Sequence, residues 1–182
     1  MDTTPHTLTE ADIWAALESV KDPEIPVLSV IDMGIITRVS CQQLTLSESL
    51  PATSHPSPAT RLAHITMTPT FVGCPAIGVM KKDIYEAVKK MGFGEVTVNV
   101  DLETTWTSDR MSPEAKAKLE KFGIAPPPVA DGEISAEMLD RVRCPHCGST
   151  DTTLRSSFGS TLCRAIRFCF SCKQGFEQFK PI

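Results

Sequence analysis

The sequence predicts an α/β (α+β) fold: a small mixed sheet covered by helices, followed by a C-terminal zinc-ribbon module. Three observations carry that expectation. Over residues 9–124 the apolar spacing switches in the order helix, two strands, helix, strand, helix. A proline-rich run, Ala125-Pro126-Pro127-Pro128-Val129-Ala130-Asp131-Gly132, then breaks the pattern. Two Cys-x₂-Cys pairs close the chain, Cys144/Cys147 and Cys169/Cys172, with 21 residues between them. The expected division is 1–8 disordered, 9–124 the helix-and-sheet domain, 125–140 a semi-rigid proline linker and 141–182 the ribbon.

The elements follow in order. Thr9-Glu10-Ala11-Asp12 is a capping-box variant that starts a helix with Ile13, Trp14, Leu17 and Val20 on one face. Pro23 should end it near Lys21. Asp22-Pro23-Glu24-Ile25-Pro26 is a stiff extended loop, and Asp32-Met33-Gly34 is a turn signal. Ile35 to Val39 reads as a strand. Residues 40–61, rich in Pro, Ser and Thr from Leu50 to Thr60, read as a long mobile hairpin loop, in which Cys41 and His55 receive no role. His64 to Met67 is a strand, and Ile77, Met80, Ile84 and Val88 mark an amphipathic helix that ends at Gly92. Val96, Val98 and Val100 alternate with polar residues in a half-buried strand. Ser112-Pro113-Glu114 caps a third helix, with Leu119 and Phe122 inward and Gly123 closing it. Residues 133–143 fit a short helix or a strand equally well.

Composition bounds the function classes. The first 20 residues hold four acids and no lysine or arginine, which is unlike a signal or transit peptide, and nothing resembles a transmembrane span. A cytoplasmic protein is expected, with its seven cysteines reduced or metal-bound rather than paired. The net charge of −4 is uneven: residues 1–140 carry 11 Lys/Arg against 20 Asp/Glu, a net of −9, and residues 141–182 carry 7 against 2, a net of +5. That tail could attract an acidic partner or simply balance an acidic neighbour. No set of four carboxylates and two histidines suggests a di-iron site, and no Gly-rich dinucleotide fingerprint is present.

Two groups of residues carry chemistry. Cys144, Cys147, Cys169 and Cys172 have the spacing of two knuckles closing on one tetrahedral ion, and structural Zn²⁺ is the expected occupant, with rubredoxin-like iron or an iron–sulfur cluster as the other metals of that spacing. His146 lies inside a knuckle and is not needed as a ligand; Cys163, off the paired spacing, reads as an apolar filler, with a reactive thiol as the other reading. Cys74 sits between strand and helix, before Pro75 in the first helical position. That placement makes Cys74 an N-cap residue whose thiol pKa should be lowered by the helix N-terminus; the plain reading is a buried structural cysteine. Asp22 and Glu24, two apart on a stiff loop, are a pair that binds a cation or holds a proton, or else a solvated turn.

With those residues in hand, the chain resembles the PaaD-type subunit of the phenylacetate-CoA oxygenase (phenylacetyl-CoA epoxidase) complex over nearly its whole length. Residues 9–124 are similar to the metal–sulfur cluster assembly domain of SufT-type proteins, through Asp22-Pro23-Glu24, Asp32-Met33-Gly34, Thr70-Phe71-Val72-Gly73-Cys74-Pro75 and Trp106 to Met111. The tail resembles the family's zinc-ribbon extension, including Phe158-Gly159-Ser160-Thr161, Cys163 and Phe176 to Pro181. The 40–61 loop is longer than the family pattern, and Arg110 stands in place of an aromatic. The resemblance implies a non-catalytic accessory subunit that assists iron or iron–sulfur centre assembly in the oxygenase or reductase subunits. Cys74, Asp22 and Glu24 become candidates for transient iron or iron–sulfur cluster transfer, with the carboxylate loop placed beside Cys74 by that resemblance. The implied partners are the other subunits of the complex, including the reductase, with no nucleic acid and no membrane; a homodimer stays open. Three other readings remain: a purely structural subunit with an inert Cys74, a thiol-dependent enzyme using Cys74, and a ribbon binding nucleic acid through Arg155, Arg164 and Arg167.

Overall fold

The computed structural model describes residues 8–44, 60–128 and 142–181. Helix α1 (Glu10–Leu17) begins at the expected capping box: Thr9 accepts from the Asp12 amide, and the Asp12 carboxylate accepts from the Thr9 amide. It ends one turn earlier than Lys21, because residues 20–22 straighten to pair with 28–30. Val30 N–H donates to Val20 O at 3.0 Å and Asp22 N–H to Leu28 O at 3.0 Å. Ile13 and Leu17 are the buried face of α1, and Trp14 lies at its exposed edge.

Strand β1 (Ile36–Leu44) runs on past Val39, so Cys41 is a strand residue. It pairs antiparallel with β2 (Thr60–Met67), Leu44 opposite Thr60. The Pro/Ser/Thr-rich segment with His55 lies outside the described residues, as do residues 1–7 and most of the expected linker; Leu8, the last of the residues expected to be disordered, packs on the core. Helix α2 (Ile77–Lys89) crosses over to β3 (Glu95–Val100), which lies parallel to β2. The sheet order is β1-β2-β3, with α1 and α2 packed together on it. Met80, Ile84 and Val88 of α2 meet Val39, Ile65, Met67, Val96 and Val98 of the strands in the main core. No helix among the described residues is long and apolar enough to cross a membrane.

The turn motifs build one corner. Trp106 is fully buried, and its Nε1–H donates to Met33 O at 3.0 Å. Gly34 has φ of 61°, and a Cβ there would meet Arg110 O at 2.5 Å. Asp32 receives both Lys118 Nζ contacts at 2.7 Å. Burial works against the Asp32 carboxylate, but Lys118 and the Ser29 amide and hydroxyl outweigh it and lower its pKa. Helix α3 (Pro113–Phe122) starts at Ser112, whose hydroxyl accepts from the Ala115 amide, and stops at Gly123 in the left-handed region. Its inner face is Ala115 and Leu119, whereas Phe122, expected inward, is exposed.

The ribbon is a second sheet in the order β4-β7-β6-β5, formed by β5 (Thr152–Ser156), β6 (Arg164–Cys169), β7 (Gly175–Phe179) and the short β4 (Ile124–Ala125). Thus Ala125, the first residue of the expected linker, adds a parallel strand to β7. Phe179 is fully buried in the main core, its ring 5.9 Å from that of Trp106. A separate, much smaller cluster of Ala125, Val142, Cys144, Cys169 and Phe176 underlies the knuckles.

Candidate functional site: a four-cysteine group and a two-thiol cleft

Cys144, Cys147, Cys169 and Cys172 come together as the spacing predicts. Their four sulfurs all lie within 4.8 Å of one another, and no other group of three or more possible ligands does so among the described residues. The Cys144–Cys172 and Cys147–Cys169 sulfurs are 3.7 and 3.6 Å apart. A tetrahedral site with metal–sulfur bonds of about 2.3 Å has sulfur–sulfur edges of about 3.8 Å. The donor set therefore fits a tetrahedral thiolate-bound metal. Backbone amides support the thiolates: Ser149 toward Cys147, Cys172 and Ser171 toward Cys169, and Gln174 toward Cys172. Lys173 at φ 62° and Gly148 at φ 74° make the tight turns that aim those amides. His146 takes no part in the four-sulfur group; its ring stands edge-on to Phe176.

Cys74, Asp22 and Glu24 also come together, in a narrow cleft with Ile25, Thr70 and Phe71. The other wall is from the ribbon: Thr161, Leu162 and Cys163. The enclosed space is about 20 Å³. That is room for one water-sized occupant. Asp22 is 5% exposed, and its Oδ1 accepts from the Glu24 and Ile25 amides at 2.7 and 2.9 Å. Asp22 thus organises its own loop with one oxygen of the carboxylate. Glu24 sits at the exposed rim, and its carbonyl accepts from Arg164 of the ribbon at 2.7 Å.

The expected thiol chemistry needs correction. The N-cap of α2 is Ala76, not Cys74, because residues 74–77 first close a tighter turn in which Ile77 N–H donates to Cys74 O at 3.3 Å. The thiol is half-buried, and its pKa is raised rather than lowered. Burial is the main cause; the Ala76 amide pulls the other way, and Asp22, Cys163 and Glu24 push it further up. Cys41 is raised as well, by burial and then by Glu10 and Asp12. Sequence reasoning did not connect Cys163 with Cys74, since no ligand spacing links them; only the packing of the ribbon brings them to one cleft. No histidine lies among the described residues of the cleft lining.

Comparison with known proteins adds to this geometry. Residues 130–180 match the PaaD zinc beta ribbon domain. Over 171 residues the chain is 39% identical to a protein of Escherichia coli (strain K12) named as a subunit of 1,2-phenylacetyl-CoA epoxidase, covering 94% of this chain and 92% of that protein. It is 33% identical over 112 residues to an Fe-S protein maturation auxiliary factor of Porphyromonas gingivalis, covering 61% of this chain and 90% of that protein. It is 28% identical over 109 residues to the Fe-S protein maturation auxiliary factor YitW of Bacillus subtilis, covering 59% of this chain and 90% of that protein.

Proposed function

The chain belongs to the PaaD-type family of 1,2-phenylacetyl-CoA epoxidase subunits, and on that footing we propose that it is a non-catalytic accessory subunit of a phenylacetyl-CoA epoxidase system in aerobic phenylacetate degradation. Its work is to help assemble an iron or iron–sulfur centre in the oxygenase or reductase subunits. The observation that carries this reading is the cleft in which the Cys74 thiol and the Asp22 carboxylate face a space for a single small occupant. The likeness of about three fifths of the chain to two Fe-S protein maturation auxiliary factors supports it. A thiolate and a carboxylate bind Fe²⁺ without saturating it, so the ion can be passed on.

The four ribbon cysteines hold one structural Zn²⁺ in this proposal. The cluster beneath them is too small to fold the ribbon alone, so metal binding supplies part of its folding free energy. The protein works in the cytoplasm, where its free thiols stay reduced. Its partners are the oxygenase and reductase subunits, and neither nucleic acid nor membrane has a role. Oxygenase and reductase purified from cells with and without this chain test the role. Iron per subunit should fall in at least one of them without it; equal iron in both would leave a structural subunit as the better account.

A further inference from the structure

We propose that Cys163 is a second thiolate ligand of the transfer site, so that the cleft holds a single borderline-soft divalent ion between Cys74 of the first part, Cys163 of the ribbon and the Asp22 carboxylate. The inference rests on reading the Cys74 cleft as a transfer site, and it gives the ribbon a chemical role beside its own metal.

The geometry around Cys163 is built rather than incidental. Arg164 beside it bonds Glu177 Oε2 and Glu24 O, each at 2.7 Å, which ties the ribbon loop directly to the Asp22–Glu24 loop. Ser160 N–H donates to Glu177 Oε1 at 2.8 Å, Gly159 N–H to Arg164 O at 2.9 Å, and Lys180 N–H to Cys163 O at 2.9 Å. Gly159 has no room for a side chain, since a Cβ would stand 2.9 Å from Arg164 Cβ. These bonds fix Cys163 at the cleft wall, half-buried, with the Thr161 hydroxyl 3.1 Å from its sulfur. An apolar filler needs neither a polar neighbour nor a wall position opposite another thiol and a carboxylate.

The donor types and the space choose the ligand. Two thiolates and one carboxylate suit Fe²⁺, Co²⁺ or Zn²⁺ and disfavour Mg²⁺ and Ca²⁺. A space of about 20 Å³ suits one ion rather than a preformed multi-iron cluster. The cleft donors are more widely spread than the four ribbon sulfurs, so with Cys163 held at the wall the Cys74 side chain has to turn toward it before both sulfurs can share an ion. That is the behaviour of a passing site rather than a resident one. Binding replaces the two thiol protons by two metal–sulfur bonds and involves no change of oxidation state.

The test uses the full chain with ribbon zinc in place, titrated anaerobically with cobalt(II) alone. Thiolate-to-cobalt charge-transfer absorption is read against zinc retained. The wild-type chain should take one cobalt beyond its zinc. Cys163→Ser and Cys74→Ser should each weaken that binding at least about tenfold, the smallest loss that removing even an outer-shell partner of a metal ligand typically brings. Cys41→Ser should leave it unchanged. In the wild-type chain cobalt should also slow alkylation of both Cys74 and Cys163, a readout that needs no variant to fold. Binding lost in Cys74→Ser but intact in Cys163→Ser, with Cys163 unprotected, would overturn the proposal and leave the Cys74 reading standing. No cobalt beyond the zinc would also overturn it, whereas failure of the assembly role itself would appear in the iron counts of the subunits.

Discussion

At the scale of single residues, burial decides the chemistry of Cys74. A thiol beside a helix start is expected to ionise easily, but desolvation and the nearby Asp22 and Glu24 carboxylates outweigh the one amide that faces it. Alkylation of Cys74 should therefore rise at higher pH in the folded chain than in the same chain unfolded in denaturant, where the thiol titrates near about 8.5. A rate curve displaced to lower pH on folding would contradict this. The sign carries to stability. A raised thiol pKa means that the unfolded chain ionises first, so this contribution is complete below the unfolded value and is lost as pH climbs through the folded one. Asp32 works in the opposite direction: its lowered pKa gives stability that is present above the unfolded carboxylate range and lost as pH falls through the folded value.

At the scale of elements, the caps and periods were legible and the close approaches were not. The Thr9 box, the Ser112 cap and the Gly123 stop are local chemistry within a few residues, and the structure shows them where the sequence places them. The Ile77 to Val88 spacing likewise gives the buried face of α2. Phe122 fails as an inner residue and β1 outruns its expected end because both depend on neighbours distant in the chain. Asp32-Met33-Gly34 and Trp106 to Met111, separate motifs in the sequence, turn out to be two sides of one corner. Gly34→Ala tests that corner: its left-handed φ costs an alanine about 1–2 kcal/mol, and the clash with Arg110 O adds to it. Thermal unfolding should show a loss above that range; a loss within a few tenths of wild type would mean the corner yields easily. The metal-ligand cysteines were legible because knuckle spacing is local, whereas the Cys74–Cys163 cleft was not, because it exists only once the ribbon packs on the sheet.

At the scale of the molecule, the proline run suggests two independent units, yet the contacts join them. β4 belongs to the ribbon sheet, Phe179 fills the main core against Trp106, and Arg164 reaches the Glu24 carbonyl. Phe179→Ala should cost about 3–5 kcal/mol, and it should lower the melting of the Trp106 environment together with zinc retention. A ribbon that folded apart would leave Trp106 fluorescence unmoved when Phe179 is truncated or zinc is chelated. The joined arrangement matters for function because it is what closes the cleft around Cys74. The most direct measurement of that function is the iron content of the oxygenase and reductase subunits co-produced with the Cys74→Ser chain. The account predicts a folded, zinc-bound Cys74→Ser protein, still associated with its partners, and at least one iron-poor subunit beside it; full iron in both subunits would contradict it.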